Sequence, residues 1–509
     1  MRAITWPDKI RTHFSNPTPP EAVLEGSPIL VRMPTADLGW SAFRNTASQI
    51  GGRGVIALLR LVVAGMIVRS YGPETFGEYS LVFGILTIAE GLLDFGTTDA
   101  FVREISRDPG RGPRLLRIMT TAKLVQVPVA WVALVAILLA LRYPARIVEA
   151  SLVGGAGMVF LAGMLVYRAI FKASLRTDRE VAAELVSTVV LIPLVWLVAS
   201  RGGSLAALVG CQVVSRAVFF GLCLFLGSGQ HRLSLQGVAW RDVRWGLQAS
   251  APLGIIGLLV GVYETLDILL LSKLGTFSEL AYYSGAQRLV WPVLLALAAI
   301  GGTLYPIVAS SWPHARSQFE QACQRGLDTA VVLAGFSLCS YLAAADFYMG
   351  LIGPELAVGA PALRILAVVC CVKAISAIAG PVLYAVHAQK QALQVVVAAV
   401  VVKAAVLVPL IPQFGYVGAA FGVLAVESCL SAVAALYLVR RFAGFRWRWN
   451  VPLKVALVAV ASALAVRLLL ATHGFQAALA APILYVPSVF LSGALRWEDV
   501  RSLLKRKAL

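Results

Sequence analysis

The stretch that decides the fold runs from residue 51 to residue 95 and reads GGRGVIALLRLVVAGMIVRSYGPETFGEYSLVFGILTIAEGLLDF. Two apolar runs flank the turn at Gly72, and each suits a helix of about 20 residues, the length that crosses a bilayer. Arginines and carboxylates lie inside both runs, where each charge costs roughly 2.5–3.5 kcal/mol on insertion scales. The stretch therefore predicts two membrane-spanning helices that face a polar interior.

The same pattern recurs along the whole chain and predicts an all-α membrane protein with about 14 transmembrane helices around a central cavity. The predicted spans lie near 47–68, 79–101, 124–141, 148–171, 181–200, 204–226, 247–271, 279–309, 329–349, 361–386, 392–411, 414–437, 451–470 and 476–493. Hydrophobic residues make up 59% of the chain and charged residues only 14%. A soluble domain has about 25% charged residues, so this composition excludes that class.

The net charge of +18 is distributed unevenly between the two sides of the predicted membrane. If both termini are cytoplasmic, 31 of the 44 Lys and Arg residues lie in inside segments and six lie outside. Such a bias follows the positive-inside rule and predicts a multi-pass protein of the bacterial inner membrane with both termini in the cytoplasm. The excess charge is expected to meet membrane lipid headgroups rather than nucleic acid.

The spans group into two predicted halves, because a turn motif occurs twice. Gly72 precedes a Tyr79-Ser80 pair, and Gly275 precedes a Tyr283-Ser284 pair, with six spans between the two copies. The predicted layout lists five segments: a flexible cytoplasmic tail at 1–46, an N-terminal lobe of helices 1–6 at 47–226, a C-terminal lobe of helices 7–12 at 247–437, appended helices 13–14 at 451–493, and a basic cytoplasmic tail at 494–509.

The first helix of each predicted half contains helix-breaking residues. Gly51, Gly52 and Gly54 lie near the start of the first, and Pro252 and Gly254 lie in the seventh. Interrupted hydrophobic segments at matching positions often line the moving cavity of a transporter. Close helix packing through small residues is the alternative interpretation.

Two groups of deep charges are the candidate functional residues. The cations suit an anionic substrate, because a guanidinium presents a forked donor set that matches phosphate oxygens. The acids are candidates for coupling or gating, and H⁺ or Na⁺ is the candidate coupling ion. The substrate-binding candidates are Arg53, Arg60, Arg216, Arg288, Lys373 and Lys403, and the coupling or gating candidates are Glu90, Asp94, Asp99, Glu264 and Asp267. Ion pairs that only hold helices together are the competing interpretation.

No cofactor, catalytic residue or metal site is predicted. The seven cysteines and five histidines show no zinc-ligand spacing. No nucleotide-binding G-x-x-x-x-G-K-[ST] loop occurs in the chain. No predicted outside loop exceeds about a dozen residues, which argues against a polysaccharide polymerase or ligase with a large external catalytic loop.

Three stretches contain turn and helix-entry motifs in a defined order along the chain. The first, residues 44–107, contains Gly72-Pro73-Glu74-x-x-Gly77-x-Tyr79, then Asp94-Phe95-Gly96 and Arg103-Glu104. The others are YETLDILLLSKLGTFSELAYYSGAQRLV at 263–290 and FGYVGAAFGVLAVES at 414–428. Together these stretches resemble the bacterial polysaccharide flippases of the multidrug/oligosaccharidyl-lipid/polysaccharide exporter superfamily.

The resemblance implies a flippase for an undecaprenyl-pyrophosphate-linked oligosaccharide repeat unit, which works by alternating access and serves cell-surface or exopolysaccharide biosynthesis. It implies that Arg53, Arg60, Arg216 and Arg288 meet the pyrophosphate or acidic sugars, and that other polysaccharide assembly proteins are partners. An ion-coupled drug antiporter and a flippase for the peptidoglycan precursor lipid share the fold and remain alternatives.

Overall fold

The computed structural model describes residues 35–227, 237–470 and 474–494, and these residues form helices and short connections. The α-helices are α1 (Thr35–Asp94), α2 (Thr97–Arg107), α3 (Gly112–Leu141), α4 (Ala145–Ala156), α5 (Met158–Ala173), α6 (Thr177–Ser200), α7 (Leu205–Gly227), α8 (Trp240–Leu274), α9 (Phe277–Ser311), α10 (Arg316–Ile352), α11 (Ala360–Ala385), α12 (Gln389–Ala432), α13 (Asn450–Leu469) and α14 (Gly474–Leu491). A π-helix, Val433–Ala443, continues α12.

Twelve continuous helical stretches within the described residues are long and apolar enough to cross a membrane. Two of them, Gly51–Arg107 and Gln391–Ala443, contain 57 and 53 residues. A straight helix rises 1.5 Å per residue and would far exceed a hydrocarbon core of about 30 Å. Each contains a kink at a glycine with positive φ, Gly72 (φ 80°) in the first and Gly415 (φ 56°) in the second. Counted as two crossings each, these stretches match the predicted 14 spans.

Two ends of the helical bundle can be distinguished. We call the end with the turns at Gly72, Gly275 and Gly415 the outer end, and the end with the connections at Phe95 and 312–315 the inner end. Large apolar side chains cover the lipid-facing flanks of the bundle, and Leu468 and Leu491 are 84% and 88% exposed. In a bilayer these flanks contact acyl chains, which is why the hydropathy pattern predicts the helices correctly.

The two copies of the repeated turn contact each other at the outer end. A Cβ atom placed on Gly77 would lie 1.9 Å from the Phe277 carbonyl oxygen, so only a glycine allows this approach. Nearby, a Cβ on Gly65 would lie 2.8 Å from the Ile352 carbonyl oxygen. We call these contacts the outer seal, because they close the bundle between α1, α9 and α10.

Helices α13 and α14 pack against α10. The predicted lobe boundaries stay a prediction. Residues 1–34 and 495–509 of the predicted tails lie outside the described residues. The end of the predicted N-terminal tail, residues 35–46, is helical and belongs to α1, which begins at Thr35.

The predicted breaks in the first and seventh helices are not observed. Helix α8 runs without interruption through Pro252 and Gly254, and α1 is continuous from Thr35 to its kink at Gly72. Gly254 instead permits close packing, since its added Cβ would lie 2.6 Å from the Phe95 carbonyl oxygen. The small-residue packing interpretation is therefore the correct one for this glycine.

Candidate functional site

A cavity of about 690 Å³ opens between α1, α5, α6, α7 and α9. Its charged lining consists of six cations, Arg53, Arg60, Arg168, Lys172, Arg216 and Arg288, and one acid, Glu184. The polar side chains of Ser187, Thr188 and Gln212 also line it, together with Tyr79 and Trp291. Such a lining favours an anionic ligand group, because its cations outnumber its acids.

Four of the six predicted substrate-binding cations line this cavity, and two do not. Arg53 and Arg60 project from α1, two helical turns or roughly 10 Å apart. Arg216 comes from α7 and Arg288 from α9. Helix α9 of the predicted C-terminal lobe therefore contributes Arg288, Trp291 and Leu295 to a cavity whose other lining residues come from the predicted N-terminal lobe.

Ion pairs compensate four of the six cavity cations. Arg60 Nη2 lies 2.8 Å from Glu184 Oε1, and Arg216 Nη1 lies 2.5 Å from Glu90 Oε1. In the other two pairs, Arg168 Nε lies 2.7 Å from Glu180 Oε1, and Lys172 Nζ lies 3.0 Å from Asp99 Oδ1.

Arg53 and Arg288 have no carboxylate within ion-pair distance in the described part of the chain. The Arg288 guanidinium instead lies over two aromatic rings of α1, 4.9 Å from the Phe76 centroid and 5.8 Å from the Tyr79 centroid. Tyr79 is itself held by Gln212, whose Nε2 donates to the tyrosine hydroxyl at 2.8 Å. The cavity thus keeps two uncompensated guanidiniums, one near the inner end of α1 and one deeper on α9.

The remaining predicted cations, Lys373 and Lys403, lie in a separate cluster between α8, α9, α11 and α12, which we call the C-half cluster. Lys373 Nζ lies 2.9 Å from Glu264 and 3.2 Å from Glu427. Lys403 Nζ donates to the Tyr263 carbonyl oxygen at 2.6 Å and lies 3.6 Å from Asp267. The six candidate cations are therefore divided between two places, four in the cavity and two in the C-half cluster.

Tyrosines complete the C-half cluster. The Tyr263 hydroxyl donates to Glu427 at 2.8 Å, and the Tyr283 hydroxyl donates to Asp267. Gln287 Nε2 donates to the same Asp267 carboxylate at 3.1 Å. Lys403 and Asp267 are only 3% and 2% exposed at their side chains. Three carboxylates and two ammonium groups are therefore compensated within one largely buried network.

Asp94 lies at the inner end of α1, outside the cavity lining, and bonds to neighbouring side chains there. Its Oδ1 accepts a hydrogen bond of 2.6 Å from the Thr98 hydroxyl and lies 3.3 Å from Lys123 Nζ. Lys123 also donates to the Leu93 carbonyl oxygen at 2.8 Å. These bonds satisfy polar groups where α1 ends and α2 begins, at the positive-φ residues Phe95 and Gly96.

Of the predicted coupling residues, Glu90 borders the cavity through Arg216, and Asp99 borders it through Lys172. Glu264 and Asp267 lie in the C-half cluster. Within the described residues, no group of three or more His, Cys, Asp or Glu side chains is placed to hold a metal ion.

Sequence reasoning missed Arg168, Lys172 and Glu184. Arg168 lies in the last turn of the span predicted at 148–171 and Lys172 lies one residue beyond it, whereas α5 continues to Ala173 and carries both on one face. The spacing Arg168–Lys172, and Glu180–Glu184 on the next helix, are both i,i+4. Two matching i,i+4 pairs of opposite charge on consecutive helices were the available signal.

Comparisons with solved structures identify the fold. The lipid II flippase MurJ in its inward closed conformation matches with a TM-score of 0.68 at 13% identity, over 88% of this chain and 98% of that one. An inward-facing multidrug resistance MATE transporter of the MOP superfamily matches with a TM-score of 0.62 at 16% identity, over 76% and 95%. A MOP superfamily transporter from Pyrococcus furiosus gives 0.59 at 16% identity, over 83% and 97%.

Sequence comparison identifies the family. No curated protein matches the chain by sequence. The family described as "Polysaccharide biosynthesis protein" matches residues 42–312, which include the complete cavity lining. The chain is therefore a multi-pass membrane protein that belongs to the polysaccharide biosynthesis protein family, with the fold of the MOP superfamily.

Proposed function

We propose that this protein flips an undecaprenyl-pyrophosphate-linked oligosaccharide repeat unit across the bacterial inner membrane, for cell-surface or exopolysaccharide biosynthesis. In this proposal both termini lie in the cytoplasm, so the inner end of the bundle faces the cytoplasm. Membrane lipids surround the protein, and other polysaccharide assembly proteins receive its product.

The observation that carries the proposal is the charge balance of the cavity. Four cations have carboxylate partners, so Arg53 and Arg288 are the charges left for a ligand. A pyrophosphate diester carries two negative charges, which these two guanidiniums match. Both are available for forked hydrogen bonds to phosphate oxygens, because neither is occupied by a carboxylate.

The shape of the bundle supports alternating access. The outer-seal residue Gly77 is two residues from the lining residue Tyr79, whereas Arg53 and Lys172 lie toward the inner end. A headgroup entering from the cytoplasm meets Arg53 first and Arg288 deeper in the membrane. Release on the other side requires the turns at Gly77 and Phe277 to separate.

The C-half cluster is our candidate for ion coupling. Glu264 is 43% exposed, so among the cluster carboxylates it is the most accessible to a proton or Na⁺. Lys373 joins it to Glu427, and an ion that neutralises Glu264 would loosen a contact between α8 and α11. H⁺ and Na⁺ are both compatible with this arrangement.

A flippase for the peptidoglycan precursor lipid is the second candidate. That lipid carries the same polyprenyl pyrophosphate, and the match to the lipid II flippase MurJ covers 88% of this chain. An ion-coupled drug antiporter is disfavoured, because six cavity cations face a single lining acid.

The test is the sidedness of lipid-linked oligosaccharide in inner-membrane vesicles from wild-type and deletion strains. We expect the repeat-unit lipid to accumulate on the cytoplasmic leaflet of the deletion strain, while peptidoglycan precursor keeps its normal distribution. Accumulation of the peptidoglycan precursor instead would favour the second candidate. A normal distribution of both lipids would overturn the proposal.

A further inference from the structure

The inner end of the bundle carries arginines of two kinds. In α2 and the start of α3 they are paired, since Arg103 and Arg107 lie 3.4 and 3.3 Å from Glu104. In the last turn of the π-helix and in the connection from it to α13 they are not. Four exposed arginines there have no carboxylate partner in the part of the chain that the structure describes: Arg440, Arg441, Arg446 and Arg448. We call residues 440–448 the arginine segment.

The arginine segment has a regular inside–outside alternation. Phe445 and Trp447 are buried, whereas Arg446 and Arg448 between and after them are exposed. The two aromatic rings meet edge to face at 4.7 Å, and the Trp447 indole N–H donates to the Ala435 carbonyl oxygen at 3.1 Å. Buried aromatic side chains thus anchor the backbone that presents the guanidiniums.

Helix α10 fixes the arginine segment from the other side. The Gln324 amide group accepts from the Arg448 backbone N–H at 2.9 Å and donates to the Arg448 carbonyl oxygen at 3.0 Å. Arg316 Nη2 donates to the Ala443 carbonyl oxygen at 3.1 Å, just before the left-handed Gly444. A backbone held in this way presents its cations with a smaller ordering cost on binding.

The position of the arginine segment indicates which kind of ligand it binds. It connects two membrane-crossing helices, so it lies at the membrane–water interface, where phospholipid phosphates lie. We propose that residues 440–448 form a binding site for the phosphate headgroup of an anionic phospholipid of the inner leaflet. Arg446 and Arg448 grip the phosphate, and Arg440 and Arg441 add to the local positive potential. The site is independent of the transport cavity.

The test measures lipid binding by the purified full-length protein. Native mass spectrometry or fluorescence titration follows phosphatidylglycerol binding in a phosphatidylcholine background. Arg446→Gln/Arg448→Gln is expected to weaken binding about 30-fold, the fold-change that corresponds to roughly 1 kcal/mol per arginine near the surface. Arg440→Gln/Arg441→Gln is expected to weaken it less.

Two controls make the result decisive. Arg103→Gln/Arg107→Gln removes the same charge from the same end of the bundle but from paired arginines, and it is expected to leave the affinity within about twofold. Glycerol 3-phosphate is expected not to compete, since it lacks the acyl chains that hold a headgroup at the interface. Equal loss in the two double variants, retained affinity in Arg446→Gln/Arg448→Gln, or full competition by glycerol 3-phosphate would each overturn the proposal.

Discussion

The cavity and the C-half cluster contain similar residue types but differ in how far their charges are compensated by ion pairs. In the cavity, polar surface remains open and two guanidiniums stay without a carboxylate partner. In the C-half cluster, most charges are buried and each ammonium group touches at least one carboxylate. A buried charge needs compensation to be tolerated, whereas an uncompensated charge in an open cavity is free to bind a ligand. On the proposed function, the comparison separates residues that stabilise the bundle from residues that recognise a substrate.

The largest effect is expected when a charge is removed from the C-half cluster, which tests whether its ion pairs stabilise the bundle. Lys403→Met leaves Asp267 buried with no cation nearby, and breaking a buried ion pair costs about 3–5 kcal/mol. We expect a large drop in the thermal unfolding temperature and in the amount of protein in the membrane. Adding Asp267→Asn should restore most of the loss. Unchanged stability of the single variant would contradict the assignment of a structural role.

The converse change removes an uncompensated cation from the cavity. Arg288→Gln should leave stability within about 1 kcal/mol of wild type but reduce translocation about 10- to 100-fold, since a hydrogen bond to a charged group is worth about 1.5–3 kcal/mol. Arg201→Gln, at the exposed outer end of α6, is the control and should transport normally. Normal transport by Arg288→Gln would remove this residue from the site.

The tightness of the outer seal, where α1 meets α9 and α10, can be tested by adding one methyl group. Gly77→Ala places a Cβ against the Phe277 carbonyl oxygen, and such overpacking costs about 1–3 kcal/mol. Gly302→Ala is the matched control, because nothing lies within 4 Å of its added Cβ. We expect Gly77→Ala to lower the unfolding temperature and to increase labelling of a cysteine placed at the outer end. Equal behaviour of the two variants would argue against a tight seal.

The smallest expected effect concerns a compensated cavity cation. Arg60 is 56% exposed and paired with Glu184. Arg60→Ala should therefore lower the translocation rate only a few-fold relative to the Arg201→Gln control. The loss arises partly because Glu184 then repels the phosphate. Arg60→Ala/Glu184→Gln should therefore transport better than the single variant. A further decrease in the double variant would show that Glu184 itself contacts the substrate.

Much of the fold could be predicted from the sequence because the bilayer restricts the possible structures. A spanning segment must be a helix of set length, and the placement of Lys and Arg predicts its orientation. Helix ends were harder to predict, since a polar residue such as Lys172 extends α5 beyond the span predicted at 148–171. Hydropathy treats such residues as part of a loop.

The separation of the deep charges into two sites could not be predicted. Arg216 and Glu90 are 126 residues apart, and Lys373 and Glu264 are 109 apart, so their pairing depends on how whole helices pack. Depth and sign identified four of the six cations that line the cavity. Only the three-dimensional arrangement distinguishes an unpaired guanidinium such as Arg288 from a compensated ammonium such as Lys403.

The most direct test of the central claim is transport by purified protein in vesicles. Wild type and Arg288→Gln are reconstituted with an undecaprenyl-pyrophosphate-linked oligosaccharide, and a membrane-impermeant reagent reports how much lipid changes leaflet. We predict rapid redistribution with wild type and at least tenfold slower redistribution with the equally stable variant. Redistribution no faster than in protein-free vesicles, or equal rates for the two proteins, would contradict a flippase that recognises its substrate through the unpaired cavity arginines.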